Sequence, residues 1–162
     1  MKQMENQNRV FAVETEQGVA SITLRSLPDG HDSSASIFTA FADAGVSVDT
    51  ILKNIPIDGS WDLTVTVDRS DYDNALQVAQ AMIKTLGTGG IDSNSTLAKV
   101  SIVGTGMQNT PGYAARMFQS LADKGINIHL ITTSEIRITC IIAEHQMDDA
   151  VRSLQDVFGL SI

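Results

Sequence analysis

Apolar positions recur along this chain with two different periods, and the same succession of periods occurs twice. Ile37, Phe38 and Phe41 form a helical stripe, because residues three and four apart share one helix face. Gly45 follows that stripe, in the place where a residue of left-handed conformation ends a helix at little cost. The period then changes to two: Val46 and Val48 alternate with Ser47 and Asp49. Further on, Met117, Phe118 and Leu121 repeat the stripe, Gly125 repeats the stop, and Ile126 and Ile128 alternate with Asn127 and His129. The pattern predicts strands over 46–54, 61–68, 126–132 and 136–143. Second helices follow from the spacing of Ala75, Leu76, Ala79, Met82, Ile83 and Leu86, and of Met147, Ala150, Val151, Leu154, Val157 and Phe158.

The two halves align residue by residue. At an offset of 80, Ala35, Phe38, Ala42, Asp43 and Gly45 meet Ala115, Phe118, Ala122, Asp123 and Gly125. The preceding strands "SITL" and "KVSI" align at an offset of 78, so the second copy carries a loop two residues longer. A helix face, its stop and the next strand all staying in phase indicates a tandem duplication. Two helices on one face of an antiparallel sheet is the ferredoxin-like βαββαβ plan, an α+β class. A fourth strand in the first copy is expected near 91–98. The second copy ends its helix close to Ile162, so "RVFAVET" (9–15) is expected to cross over and complete the second sheet. The resulting organisation is a tail and crossover strand over 1–16, a first domain over 17–95 and a second over 96–162, with "GTGGIDSNS" as the softest boundary.

Composition narrows the function. The 162 residues carry a formal charge of −8 and a sequence pI near 4.6, the wrong sign for the basic footprint a nucleic-acid binder needs. No apolar run is long enough to span a bilayer, and "MKQMENQN" is neither a signal peptide nor core-forming. The single Cys140 excludes a disulfide framework, and the cytoplasm is the expected compartment.

Catalytic chemistry is hard to find. "VGTGM" (103–107) lacks the third glycine of a dinucleotide fingerprint, and no Walker-type loop occurs. His31, His129 and His145 have no metal-ligand spacing, so neither a metal nor a cofactor is expected. Asp71, Asp73, Asp148 and Asp149 begin helices, where carboxylates favour the positive dipole end. One constellation recurs in both copies: a strand, a loop, a helix start and a returning strand. In "GTGMQNTPGYAA", Thr110 is placed to cap, Pro111 to occupy the first helical position, and Gly112 to let a ligand approach backbone. Helix-start N–H groups suit a carboxylate, and Asn127 on the returning strand suits an ammonium. A free α-amino acid fits this set, and so does a capped helix with no ligand.

The segment "KVSIVGTGMQNTPGYAARMFQSLADKGINIHLITTSEIRITCII" (99–142) resembles the second ACT domain of the aspartokinase family, with its V-G-x-G-M strand end, P-G loop and I-N-I…S-T-S-E-I run. Residues 22–54 are similar to the first ACT domain. The resemblance implies an ACT-domain pair of the kind made as a separate regulatory β subunit, with no kinase domain. It would bind threonine, lysine or both, mediate feedback inhibition and form a homodimer, and it would act on a catalytic aspartokinase α subunit. The family's effector contacts carry over to Asp29, Ser34, Ala35, Asp49, Lys53 and Asn54 in the first copy. In the second they carry over to Met107, Pro111, Gly112, Ala114, Asn127, Ile128, Thr133, Ser134 and Glu135. In the family, the loop of one ACT domain faces the Asn-Ile pair of another across chains. Two departures stand out: the first loop reads Asp29-Gly30-His31-Asp32 where the family has D-x-P-G, and Lys53 replaces the usual Gln. An ammonium at Lys53 repels a lysine side chain unless it turns to solvent or to Asp49. Another tandem-ACT regulator, of the glycine cleavage or acetolactate synthase type, and a small ferredoxin-like enzyme are the alternative readings.

Overall fold

A computed structural model describes residues 9–30, 33–87 and 89–160. His31 and Asp32 of the first loop lie outside the described residues. The chain divides into two compact units. One runs through residues 18–96. The other joins the described N-terminal segment, up to residue 17, to the chain from residue 97 onward.

In the first unit the elements follow in order: the later part of β1 (Val10–Pro28), α1 (Ser33–Asp43), β2 (Ile51–Lys53), β3 (Ser60–Asp68), α2 (Tyr72–Leu86) and the start of β4 (Gly90–Gly104). Neighbouring strands run β2-β3-β1-β4, the ferredoxin-like order. Ile22, Leu24, Leu63 and Val65 point to one face and meet Ile37 and Phe41 from α1 and Ala75 and Ala79 from α2 in a buried core. The β1–β3 register runs evenly from Val19↔Asp68 to Leu24↔Leu63, then shifts before Leu27↔Trp61. Ser26 takes φ 53° in that shift, a conformation non-glycine residues rarely hold. Its N–H is held by the Asp62 carboxylate at 2.8 Å.

The second unit repeats the plan with the remainder of β4, α3 (Tyr113–Asp123), β5 (Ile128–Thr133), β6 (Arg137–Ala143) and α4 (Met147–Phe158). Its neighbour order is β5-β6-β4-β1, so the N-terminal strand supplies the edge that the second copy lacks. Three contacts fix that strand. The Thr105 N–H bonds the Arg9 carbonyl at 3.1 Å, Lys99 pairs with Glu16 at 3.1 Å, and Arg137 pairs with Glu14 at 2.6 Å. A side chain at Gly104 would place its Cβ 2.5 Å from the Arg9 carbonyl, which is why glycine occupies the strand there.

The shared "A-D-x-G" sequence has a structural explanation. The Gly45 and Val46 N–H groups bond the carbonyls of Ala42 and Phe41, both at 2.9 Å. Gly125 and Ile126 do the same to Ala122 and Leu121, at 2.9 and 3.0 Å. Each is a Schellman stop whose glycine takes the left-handed conformation and whose next residue tucks into the core; Val46 and Ile126 are both buried.

Two sequence expectations need correcting. The strands expected from 46 and 126 begin later, at Ile51 and Ile128, because the helix stop uses Val46 and Ile126. Irregular pairing at Asp49–Thr50 and at His129 delays them further. The helix expected to be capped by Thr110 with Pro111 in its first turn begins instead at Tyr113. Gly112 occupies the cap at φ 107° without a side-chain bond, since the preceding 3₁₀ turn over Met107–Asn109 leaves Thr110 extended.

Candidate functional site

The loop between β1 and α1 folds over the start of β3. The Asp29 N–H bonds the Gly59 carbonyl at 3.0 Å, joining the loop to the β2–β3 turn. The Pro28 carbonyl accepts from the Trp61 indole at 3.0 Å and from the Ser33 hydroxyl at 3.2 Å. Trp61, nearly fully buried, therefore ties the loop, the helix start and the strand together. Beside it opens a cleft of about 470 Å³ lined by Asp29, Gly30, Ser34 and Lys53. The Lys53 side chain reaches this cleft because Lys53 pairs with Leu63 in register, on the face to which Trp61 belongs. Its ammonium lies 4.1 Å from the Trp61 ring centroid, an attractive placement of a cation on a π face.

Other first-copy candidates have different work. Ala35 is exposed on the first turn of α1. Asn54 accepts from the Asp62 N–H at 2.7 Å and gives its own N–H to the Asp62 carbonyl at 3.3 Å, extending the β2–β3 pairing by one residue. The Asp49 carboxylate accepts from the hydroxyls of Thr50 at 3.2 Å and Thr66 at 3.4 Å. Lys53 thus turns to the ring and not to Asp49.

In the second unit the Gly104 N–H bonds the Ile136 carbonyl at 2.9 Å, and this sets the β5–β6 turn beside the loop before α3. Thr133, Ser134 and Glu135 are exposed on that turn, where the Ser134 N–H bonds the Arg137 carbonyl at 2.8 Å. Pro111 and Gly112 are exposed and Ala114 is half-buried. Met107 is buried in the second core, so its side chain is committed to packing. Beside the start of α3 lies a different cleft of about 490 Å³, with Arg9, Tyr113, Arg116 and Phe158 among its walls. There the Arg116 guanidinium covers the Phe158 ring at 4.6 Å and donates to the Val157 carbonyl at 2.6 Å.

Asn127 is exposed and Ile128 half-buried at the start of β5, directly after the stop of α3. The expectation that Asn127 stands beside the 107–112 loop of its own copy is not met. The loop precedes α3 and Asn127 follows it, so an 11-residue helix, about 16 Å long at 1.5 Å per residue, separates them. Asn127 and Ile128 can meet a loop and helix start only in another chain or another unit.

Sequence reasoning did not single out Trp61. A signal was available: it is the chain's one tryptophan, at the head of a strand whose register partner in the second copy is Ile136. The remaining reactive groups are structural. Cys140 is buried and burial pushes its thiol up from 9.0 to about 12, so it is no nucleophile near neutral pH. Among the described residues no group of His, Cys, Asp and Glu is arranged to hold a metal ion, and no helix is long and apolar enough to cross a membrane.

An ACT-domain family model matches residues 100–158. One aspartate kinase, from Stutzerimonas stutzeri, is 42% identical over 141 residues, covering 87% of this chain and 34% of its own length. An aspartokinase from Geobacillus stearothermophilus is 39% identical over 98% of this chain and 38% of its own length. The chain therefore spans about a third of these enzymes. Solved structures match more completely. A chain from a structure of aspartokinase alpha and beta subunits is 38% identical with a TM-score of 0.85, covering 93% of this chain and 99% of its own. The regulatory subunit of aspartate kinase from Thermus thermophilus is 34% identical with a TM-score of 0.84, covering 92% and 98% respectively.

Proposed function

The chain belongs to the ACT-domain regulatory part of the aspartokinase family, and from that premise we propose that it is an amino-acid sensor, reading threonine, lysine or both and transmitting feedback inhibition to a catalytic aspartokinase α chain. The observation that carries this reading is the near-complete coverage of regulatory subunits combined with the cleft at Asp29, Ser34 and Lys53. An α-amino acid brings a carboxylate and an ammonium. Asp29 is suited to the ammonium, while Lys53 and the unpaired N–H groups of the first turn of α1 are suited to the carboxylate.

Asn127 and Ile128 of a second chain complete the site in this reading, which makes the working form a homodimer in the cytoplasm. Sedimentation is expected to give a dimer at micromolar concentration; monomer alone, with and without amino acids, contradicts it. The sensor role is tested by adding the chain to a catalytic aspartokinase subunit and following ATP-dependent aspartyl phosphate formation. The expected result is inhibition by threonine or lysine that depends on this chain, with no kinase activity from the chain alone. Activity in the isolated chain, or amino-acid inhibition indifferent to its presence, overturns the proposal.

A further inference from the structure

We infer that Lys53, held over the Trp61 ring, makes the first-unit cleft selective for an α-amino acid whose side chain carries no positive charge. The inference rests on the reading of that cleft as an amino-acid site.

Lys53 is fixed in place without being neutralised. A flexible lysine normally loses rotamer freedom when it is ordered on a ligand. Here the ring, 4.1 Å from the ammonium, already orders it. The ring is itself immobile: it is buried, its indole N–H is taken by Pro28, and it packs opposite Leu27 in the strand register. A carboxylate in place of the ring would order the ammonium equally well but cancel its charge. Among the described residues no ion pair engages Lys53; the Asp49 carboxylate lies with Thr50 and Thr66. The positive charge therefore stays available to a ligand.

The cleft offers one cation, Lys53, one anion, Asp29, and the Ser34 hydroxyl. A zwitterion with an uncharged side chain matches that set one to one, its carboxylate on Lys53 and its ammonium on Asp29. A dibasic amino acid brings a second ammonium for which the cleft has no second carboxylate, and it meets Lys53 as a like charge. Specificity of this kind comes from a repulsive element as much as from an attractive one.

The test is calorimetry with threonine and lysine as probes on the full chain, its Lys53→Gln variant and its Lys53→Arg variant, together with emission from Trp61, the chain's one tryptophan. The wild type is expected to prefer threonine, and threonine is expected to shift the Trp61 emission as the carboxylate draws Lys53 off the ring. Lys53→Gln should lose on the order of ten- to hundredfold in threonine affinity, the scale of a hydrogen bond to a charged group, and should lose the preference over lysine. Lys53→Arg should retain both. A Lys53→Gln variant with wild-type affinity and preference, while threonine still moves the emission, overturns the role of Lys53 and leaves the amino-acid site standing. Neither heat nor an emission change with either probe in the wild type overturns the site and this inference together.

Discussion

The two units share a scaffold and diverge at one end of it. Where the first places Trp61 in its core, the second has Ile136, which is half exposed at 52%. Where the first projects Lys53 over that ring, the second has Thr133 on an exposed turn. The second unit draws Met107 into its core instead. The helix stops, by contrast, agree bond for bond. Duplication has kept what folds the unit and varied the ends of its strands, where side chains face a loop and not a sheet. An open cleft lined by acid, base and hydroxyl belongs to the first copy, even though its loop sequence is the one that departs from the family pattern.

The largest expected difference between the copies is at those divergent positions. Trp61→Ala removes the ring that joins loop, helix start and strand, and should cost about 3–5 kcal/mol of unfolding free energy. Ile136→Ala, at the equivalent place, should stay within about 0.5 kcal/mol. Denaturant unfolding of both variants measures this, and equal losses contradict the assignment of Trp61 as the first unit's anchor.

Much of the fold was legible in advance, and for a definite reason. The stripes of Ile37, Phe41, Met117 and Leu121 and the glycines after them are local signals with local consequences. The crossover of the N-terminal strand followed from counting strands, since the second copy was one short. What escaped was long-range or subtle. The 3₁₀ turn that buries Met107 moves the helix start past Thr110 and Pro111, and no local preference announces it. Placing Asn127 beside its own loop treated adjacency in a motif as adjacency in space, although a whole helix lies between them. Lys53 was legible as a departure from a pattern; its resting place over Trp61 was not, because that depends on the β2–β3 register.

A smaller effect should be the same in both copies. Gly45→Ala and Gly125→Ala each force a side chain into a left-handed position, φ 73° and 67°, with open space around it. Each should cost about 1–2 kcal/mol through backbone conformation alone. A large inequality between the two would show that the helix stops are not equivalent.

Smallest is the exchange of Cys140 for valine, the residue at the matching strand position, Val65. Both are fully buried, and a swap of similar volume should change stability by less than about 1.5 kcal/mol at neutral pH. At alkaline pH the variants should separate. Burial holds the native thiol protonated up to about 12, against an ordinary 9.0. The unfolded wild type therefore ionises first, and its stability falls relative to Cys140→Val as pH rises from 9 towards 12. Parallel pH–stability curves for the two proteins would contradict the burial of that thiol.

The central claim is that an amino acid is bound between a loop cleft of the first unit and Asn127 of a second chain. Calorimetry of wild type and Asn127→Ala, titrated with each of the twenty amino acids and accompanied by circular dichroism and sedimentation, tests it most directly. Asn127 is exposed on its strand, so the variant should remain folded and dimeric. It should bind the effector, threonine before lysine, more weakly by about 1–3 kcal/mol, the cost of leaving a buried polar partner unsatisfied. Threonine binding as tightly to Asn127→Ala as to the wild type, or no amino acid binding to either, contradicts the account.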